Sequence, residues 1–516
     1  MTSPLYLGLD SSTQGLKALL IDPASGKIVA SHAVNFGADL PEFNCPGGFL
    51  PNADPLVKHA DPLMWLAALD LLLGKMQAAG VPLANIAGIG GSGQQHGSVY
   101  LNANFFPIVG CLSAEKSLAE QLQPALSRAT SPIWMDSSTG AECAEIEAAT
   151  GGTLQRTTGS PAIERFTGPQ IRKFHKYDPA AYAATARVHL VSSFLCSVLC
   201  GADAPIDGGD GAGMNLLNLN RMAWDESIAE ATAPGLLAKL PRVAPGASRA
   251  GSLSAYFAKY GLKPGVPVAT WTGDNPASLV GSGAVRGGVA VVSLGTSDTF
   301  FAALDGFKVD PAGFGHVFGS QAGGCMSLTC FKNGSLARER VKNELGVDWE
   351  FFDRTAFERS LPGNDGRWAL PWFEPEITPL VTSPGLRANF EFNFASLAVR
   401  IRAVVEAQAL SMRVFSLWMG EFNALRVTGG ASRSDGVLQT LADVFGARVE
   451  VIATPDSAAL GAALIAAHVA GGWTFDQLAA AYCPPVRTLE PNAQAAATYA
   501  KLLPEFQRFM VEQVKM

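Results

Sequence analysis

Two segments far apart in the chain follow one grammar. In YLGLDSSTQGLKALLID, from Tyr6, an apolar run passes through a turn of Gly, Ser and Thr into a second apolar run ending at Asp22. In VAVVSLGTSDTFFAALD, from Val289, the same order ends at Asp305. Short apolar runs bounded by such turns read as strands. A strand-turn-strand unit repeated across more than half the chain points to two similar lobes. Length alone, 516 residues, leaves either two large lobes or about three domains open. The last third alternates strand and helix: Leu425 to Thr428, Ser434 to Phe445, Arg448 to Ile452 and Ser457 to His468. Such alternation with short connections implies βαβ units and a mostly parallel sheet, an α/β class. Earlier, Pro62 to Ala79 has helical spacing, and Ile86 to Gly90 and Ser98 to Leu101 read as strands. The Pro/Gly-rich run from Pro241 to Gly251 reads as a linker. A boundary near residue 265 then divides the chain into 1–265 and 266–516.

Composition removes whole classes of function. With 48 % hydrophobic and 16 % charged residues, the chain is the reverse of a disordered one. Its net charge of −7 comes without a basic block, which argues against an extended nucleic-acid partner. No run of about 18 uncharged apolar residues appears. Ala458 to Trp473 comes nearest and reads as a buried helix, so no membrane partner is expected. The opening residues MTSPLYLGLDSS lack the basic and apolar regions of a secretory leader. The eight cysteines contain no CxxC and no zinc spacing, and Cys196 and Cys200 read as packed thiols on one helix face. A cytoplasmic protein is expected.

Four motifs carry chemistry. In LGLDSSTQGLK the small turn residues, Thr13 and Gln14 among them, suit a phosphate oxygen. Asp10 at the strand end could hold magnesium through water, with Lys17 adding positive charge. The same segment also reads as an ordinary hairpin. GIGGSGQQHG contains GxGxxG at Gly88, Gly90 and Gly93. The dinucleotide fingerprint must open a helix, whereas here a strand follows and no acid stands about twenty residues on. Gln95 and His96 read instead as side chains offered to a polar ligand, with a structural histidine as the alternative. In TWTGDNPASL, Asp274 lies in a rigid turn at a strand end, as a general base would. Asn275 could orient a substrate hydroxyl, and an Asx-turn is the competing reading. In RVTGGASRSDG, Gly429 and Gly430 end a strand and let backbone approach a flat ligand or phosphate. The following helix start favours negative charge, though a tight βα turn needs the same residues.

Taken in order, these motifs resemble the FGGY family of carbohydrate kinases over nearly the whole chain. The resemblance includes LPEF from Leu40, SGQQHGS, WMDSST from Trp134, ERFTG from Glu164, TGDNPASL, SLGTSDT, CFKNGSL from Cys330, TGGAS and LADVF. It implies the actin/hexokinase/sugar-kinase fold, two ribonuclease-H-like lobes around a deep cleft, with the paired hairpins as phosphate loops. It implies ATP and Mg²⁺, with Asp10 at the metal, Asp274 as catalytic base, and His96, Arg165, Asp274, Asn275 and Gln95 on the sugar. Thr13, Gln14, Lys17, Gly295, Thr296, Trp349, Gly429, Gly430, Ala431 and Ser434 fall at nucleotide positions. The implied reaction is ATP-dependent phosphorylation of a ketopentose, D-xylulose to D-xylulose 5-phosphate, by a monomer or homodimer. L-ribulose, L-fuculose or glycerol are the alternative acceptors, and an actin- or Hsp70-like ATP switch is the non-enzymatic one. The pattern leads one to expect Asn soon after Gly-Gly-Ala-Ser, where this chain has Arg433, Ser434 and Asp435.

Overall fold

A computed structural model of the chain describes residues 3–453 and 456–514. Its frame is two seven-stranded sheets of matching topology. In the N-terminal sheet, Leu5–Ser11 pairs antiparallel with Gly15–Asp22, which pairs antiparallel with Lys27–Asn35. On its other side Leu5–Ser11 pairs parallel with Ile86–Gly93, and Pro267–Ala269 continues the sheet. The C-terminal sheet repeats this plan. Val289–Leu294 pairs antiparallel with Asp298–Leu304, and that strand with Cys325–Phe331. Ala424–Thr428 and Arg448–Ile452 follow in parallel. The repeated strand-turn-strand segments are therefore equivalent hairpins in two equivalent sheets.

The N-terminal sheet also takes two short strands from beyond residue 265. Strand Pro267–Ala269 and the short Thr272–Gly273 both hydrogen-bond to the N-terminal strand Ile86–Gly93. The run Pro241 to Gly251 is also not a linker between lobes. Val243–Ala244 pairs with Ile206–Asp207, and Arg249–Ser252 forms an edge strand of the N-terminal sheet. Short turns within one lobe need Pro and Gly as much as a linker does.

One helix ties the lobes together. Ser457–Gly471 follows the C-terminal sheet in sequence yet buries Leu460, Leu464 and Ile465 against Tyr6, Leu19 and Ile21 of the N-terminal lobe. Each such aliphatic side chain contributes ~1.5–3 kcal/mol when fully buried. Its alanines make it thin, and glycines on its neighbours admit it. A Cβ on Gly8 would stand 2.1 Å from the Ala459 carbonyl oxygen, and one on Gly90 2.2 Å from that of Ala462. The helix crosses Asp274–Gly281 with glycine on both sides, since a Cβ on Gly461 would lie 1.9 Å from the Ala277 carbonyl oxygen.

The glycines from Gly88 to Gly93 are thus packing residues and not a ligand cradle. Gly88 and Gly90 face the helix, a Cβ on Gly91 would enter the Trp271 indole, and one on Gly93 would meet Ser192. On Val191–Cys200, Cys196 is a buried free thiol and Cys200 a half-buried one, and Pro62–Ala78 is a helix. Among the described residues, no helix is long and apolar enough to cross a membrane.

Candidate active site

Strand register assembles the acids. Asp10 stands opposite Ser92, and Thr272 pairs with Ser92 on its other side. The three chain segments leave the sheet together at the carboxyl ends of parallel strands, where open α/β sheets bind ligands. Asp274 begins helix Asp274–Gly281 there, beside Gln95. Its Oδ1 accepts from the backbone N–H of Gln95 at 3.3 Å and of Asn275 at 2.9 Å, and from Asn275 Nδ2 at 3.2 Å. That leaves Oδ2 for a substrate hydroxyl. Burial lifts the Asp274 carboxyl to about 6, and these N–H donors limit the rise. Asp10, also buried, rises to about 7 through burial and then the negative charge of Asp274, while Ser92 Oγ donates to it at 2.7 Å.

A cavity of about 390 Å³ opens beside Asp274, lined from the N-terminal lobe by Gln95, His96, Trp134, Arg165 and Asn275. His316, Phe318, Cys330 and Ile377 line it from the C-terminal lobe. His96 adopts φ +71° and points Nδ1 at the Gly213 carbonyl, 2.9 Å away. A carbonyl only accepts, so Nδ1 carries the proton and Nε2 is an acceptor. Burial and then the Arg165 charge keep His96 neutral, and Phe166 stacks on it at 4.2 Å. His316 holds Nε2 3.5 Å from Arg165 Nη2 and Nδ1 3.1 Å from Ser160 Oγ. Burial and Arg165 push it to about 3, so it too is a neutral acceptor.

Gln95 is nearly fully buried, and its amide is spent inside the protein. Nε2 donates to Gly209 O at 3.3 Å and Oε1 accepts from Asn275 Nδ2 at 2.8 Å. The Asn275 amide nitrogen thus gives its hydrogens to Gln95 and Asp274, and its Oδ1 remains as an acceptor.

A second cavity, of about 420 Å³, collects the expected Trp349, Gly430, Ala431 and Ser434, together with Arg338 and Phe352. Trp349 is 45 % exposed, which leaves indole surface open to a flat ligand. A Cβ on Gly430 would meet nothing within 4 Å, whereas one on Gly429, at φ +95°, would strike the Leu294 carbonyl oxygen. Gly430 therefore borders open space and Gly429 is required by the strand beside it. Ser434 caps helix Asp435–Phe445 through Val437 N, so its hydroxyl is partly committed. Arg338 is a buried bidentate partner of Asp298, at 2.7 and 2.9 Å.

The remaining expected residues divide. Thr13 Oγ1 accepts from Trp134 Nε1 at 2.8 Å, joining the first hairpin turn to the rim of the first cavity, and Gln14 is exposed at the tip. Lys17 is paired with Asp456, so its charge is not free. Gly295 and Thr296 border neither cavity, although the Gly295 carbonyl accepts from Ser335, which lines the second. His316, Ile377, Phe318 and Arg338 were not anticipated. His316 and Phe318 are signalled only by an edge strand whose Val317 N–H bonds to Gly159 of the other lobe.

Mg²⁺ fits the acid end of this site. Asp10 is a buried carboxyl with one side-chain hydrogen-bond partner and the like charges of Asp274 and Asp456 nearby. No cluster of three or more His, Cys, Asp or Glu able to hold a metal occurs among the described residues.

The chain is similar to known proteins over nearly its whole length. Residues 5–281 match the N-terminal domain of the FGGY family of carbohydrate kinases, and residues 290–470 match its C-terminal domain. The chain is 41 % identical over 515 residues to a xylulose kinase of Rattus norvegicus, covering 97 % of this chain and 95 % of that protein. It is 38 % identical over 494 residues to xylulose kinase 2 of Arabidopsis thaliana, covering 91 % and 87 %. The crystal structure of xylulose kinase from Rhodospirillum rubrum superposes with a TM-score of 0.81 at 21 % identity, covering 98 % of each chain.

Proposed function

The chain belongs to the FGGY family of carbohydrate kinases, and from that premise we propose that it phosphorylates D-xylulose to D-xylulose 5-phosphate with ATP. One observation carries the reading. A buried carboxylate with a free oxygen, Asp274, shares a sugar-sized cavity with three fixed polar groups, His96, Arg165 and Asn275. The relatives named as xylulose kinases supply the choice of acceptor.

In the proposed reaction Asp274 Oδ2 accepts the proton of the acceptor hydroxyl as the hydroxyl oxygen bonds to the γ-phosphorus of ATP, and the bond from that phosphorus to the β–γ bridging oxygen breaks, its electron pair leaving with ADP. A base near pKa 6 is ionised at neutral pH and close enough to it to act efficiently. Asn275 Oδ1 and His96 Nε2 accept from sugar hydroxyls, while Arg165 donates. Fixing these groups before reaction is where the rate arises, since phosphoryl transfer leaves a protein little covalent work. Asp10, with Asp274 nearby, would hold Mg²⁺, which when bound neutralises phosphate oxygens. The nucleotide would stack its base on Trp349 beside Gly430 and Ala431. Trp134 and Ile377, from opposite lobes, would cover the sugar and exclude water, the competing nucleophile. We place the division between lobes after helix Asp274–Gly281, which keeps the base on the N-terminal sheet.

The test is ADP release measured across D-xylulose, L-ribulose, L-fuculose and glycerol. D-xylulose should give the highest kcat/KM. A preference for another acceptor overturns the substrate, and ATP turnover indifferent to every sugar overturns the kinase reading.

A further inference from the structure

Ile377 is an apolar side chain held half-exposed, at 49 %, on the C-terminal wall of the first cavity. It stands on a hairpin in which Glu376–Ile377 pairs with Leu380–Val381. So short a ladder does not hold itself in water, and its position must come from elsewhere. Glu376, which is buried, supplies it. Its Oε1 accepts from the backbone N–H of Lys332 at 2.6 Å and of Ile377 at 2.8 Å. Its Oε2 accepts from Asn333 twice, from the backbone N–H at 3.1 Å and from Nδ2 at 2.9 Å. Asn333 also binds the chain entering the hairpin, with Oδ1 accepting from Glu374 N at 2.9 Å and Nδ2 donating to Glu374 O at 3.0 Å. A buried carboxylate is costly without donors of this kind, and here they join two chain segments through one side chain.

The segment that Glu376 grips follows directly on strand Cys325–Phe331, which brings Leu328 and Cys330 to the same cavity. Ile377 is therefore fixed to the C-terminal sheet and does not ride on a loose loop. The two walls differ in chemistry. Across the cavity the N-terminal lobe offers His96, Asp274 and Asn275 to the oxygens of a sugar. Phe318, Leu328 and Ile377 give a hydroxyl nothing to bond, so they act on a sugar by shape alone. Phe318 and Leu328 are buried in the sheet, and of the three only Ile377 is half-exposed, reaching in from the rim.

We propose that Ile377 is a specificity-determining residue that limits the acceptor to five carbons, and that Glu376 is the positioning residue that makes this limit rigid. The inference rests on the cavity being the acceptor-sugar site. Ile377→Ala removes every carbon beyond Cβ, which opens more room than one added hydroxymethylene fills.

The probe is D-fructose, which keeps the configuration of D-xylulose at C3 and C4 and is one hydroxymethylene longer. The readout is the ratio of kcat/KM for D-fructose to that for D-xylulose, from ADP release by the full chain at saturating ATP. One carbon in an apolar pocket is worth ~10- to 200-fold in discrimination. Ile377→Ala should therefore raise the ratio at least about tenfold, with Ile377→Val between the two and the ATP KM within twofold of normal. Glu376→Gln turns an amide N–H₂ toward N–H donors, loosens the hairpin and should raise the ratio as well. Added to Ile377→Ala it should raise the ratio no further, because Glu376 acts through Ile377. A merely structural glutamate would lower the Tm and leave the ratio where it was. A ratio within twofold of normal in Ile377→Ala overturns the limit. A Glu376→Gln effect that is absent, or that multiplies in full with that of Ile377→Ala, overturns the positioning role. Failure of the substrate reading looks different: the unmodified protein would not turn over D-xylulose, and the ratio is then taken between D-fructose and the pentulose it does use.

Discussion

Replacing Gln95 by leucine removes a side chain that holds the substrate-facing groups in place. Three contacts converge on Gln95: Nε2 to Gly209 O at 3.3 Å, Oε1 from Asn275 Nδ2 at 2.8 Å, and the backbone N–H to Asp274 Oδ1. Leucine keeps the last and deletes the first two. The Gly209 carbonyl then loses a long bond and Asn275 a good one. Leaving buried polar groups unpaired costs ~1–3 kcal/mol each, and the long bond falls at the low end. Asn275 would keep only its 3.2 Å contact to Asp274 and could turn its amide over, offering a donor where the sugar needs an acceptor. An error of ~1.4–2.8 kcal/mol in the transition state is a 10- to 100-fold loss of kcat/KM. Coupled ADP-release kinetics should show that loss in the sugar KM and kcat, with the ATP KM within twofold of normal. Gln95→Glu still accepts from Asn275 but adds negative charge beside Asp274, so its acid limb should move to higher pH. Kinetics of Gln95→Leu within twofold of the unmodified protein in both sugar parameters would refute the positioning argument.

Other consequences concern stability and the nucleotide. Asp10 at about 7, with Asp207 and Asp274 at about 6, all lie above the ordinary carboxyl value of about 3.9. Between about pH 4 and pH 7 the folded chain therefore binds more protons than the unfolded one, and these groups lower stability as pH rises. In magnesium-free protein the carboxyl part of this loss is isolated by comparing Tm at pH 6 and pH 8 with that of Asp10→Asn, because the buried neutral histidines His96 and His316 shift both proteins alike in the opposite sense. Mg²⁺ should restore part of the loss at pH 8, and Asp10→Asn should flatten the dependence. Trp349→Ala removes a stacking face worth ~1–3 kcal/mol per base. It should raise the ATP KM about tenfold and leave the sugar KM unchanged in the same assay. Gly461→Val forces a Cβ to 1.9 Å from the Ala277 carbonyl oxygen, so the helices must part. Overpacking of this kind costs ~1–3 kcal/mol, which thermal unfolding should register as a lower Tm.

The hairpin repeat was legible because strand, turn and strand are local. Residues Tyr6 to Asp22 carry their own period and punctuation, and so do Val289 to Asp305. The βα alternation from Leu425 onward was legible for the same reason. What lay outside the reach of local pattern was where elements meet. Helix Ser457–Gly471 is apolar on every side, so its pattern says buried but not against which sheet. The glycines from Gly88 to Gly93 match the GxGxxG spacing although they pack against neighbouring elements, because small residues suit a ligand and a close helix equally. Lys17 seemed free because its partner, Asp456, is 439 positions away. His316 belongs to an edge strand with no motif, and its role comes only from the contact between lobes. Gln95 was legible as part of the site, but the hydrogen bonds that occupy its amide come from Gly209 and Asn275, and no spacing rule reports them.

Asp274→Ala tests the central claim most directly, in paired measurements of D-xylulose binding by titration and of ADP release with saturating ATP and sugar. Loss of the base should reduce turnover by at least the ~100- to 10,000-fold that general-base catalysis supplies, while D-xylulose still binds within a few-fold through His96, Arg165 and Asn275. Turnover within tenfold of the unmodified protein would contradict the account.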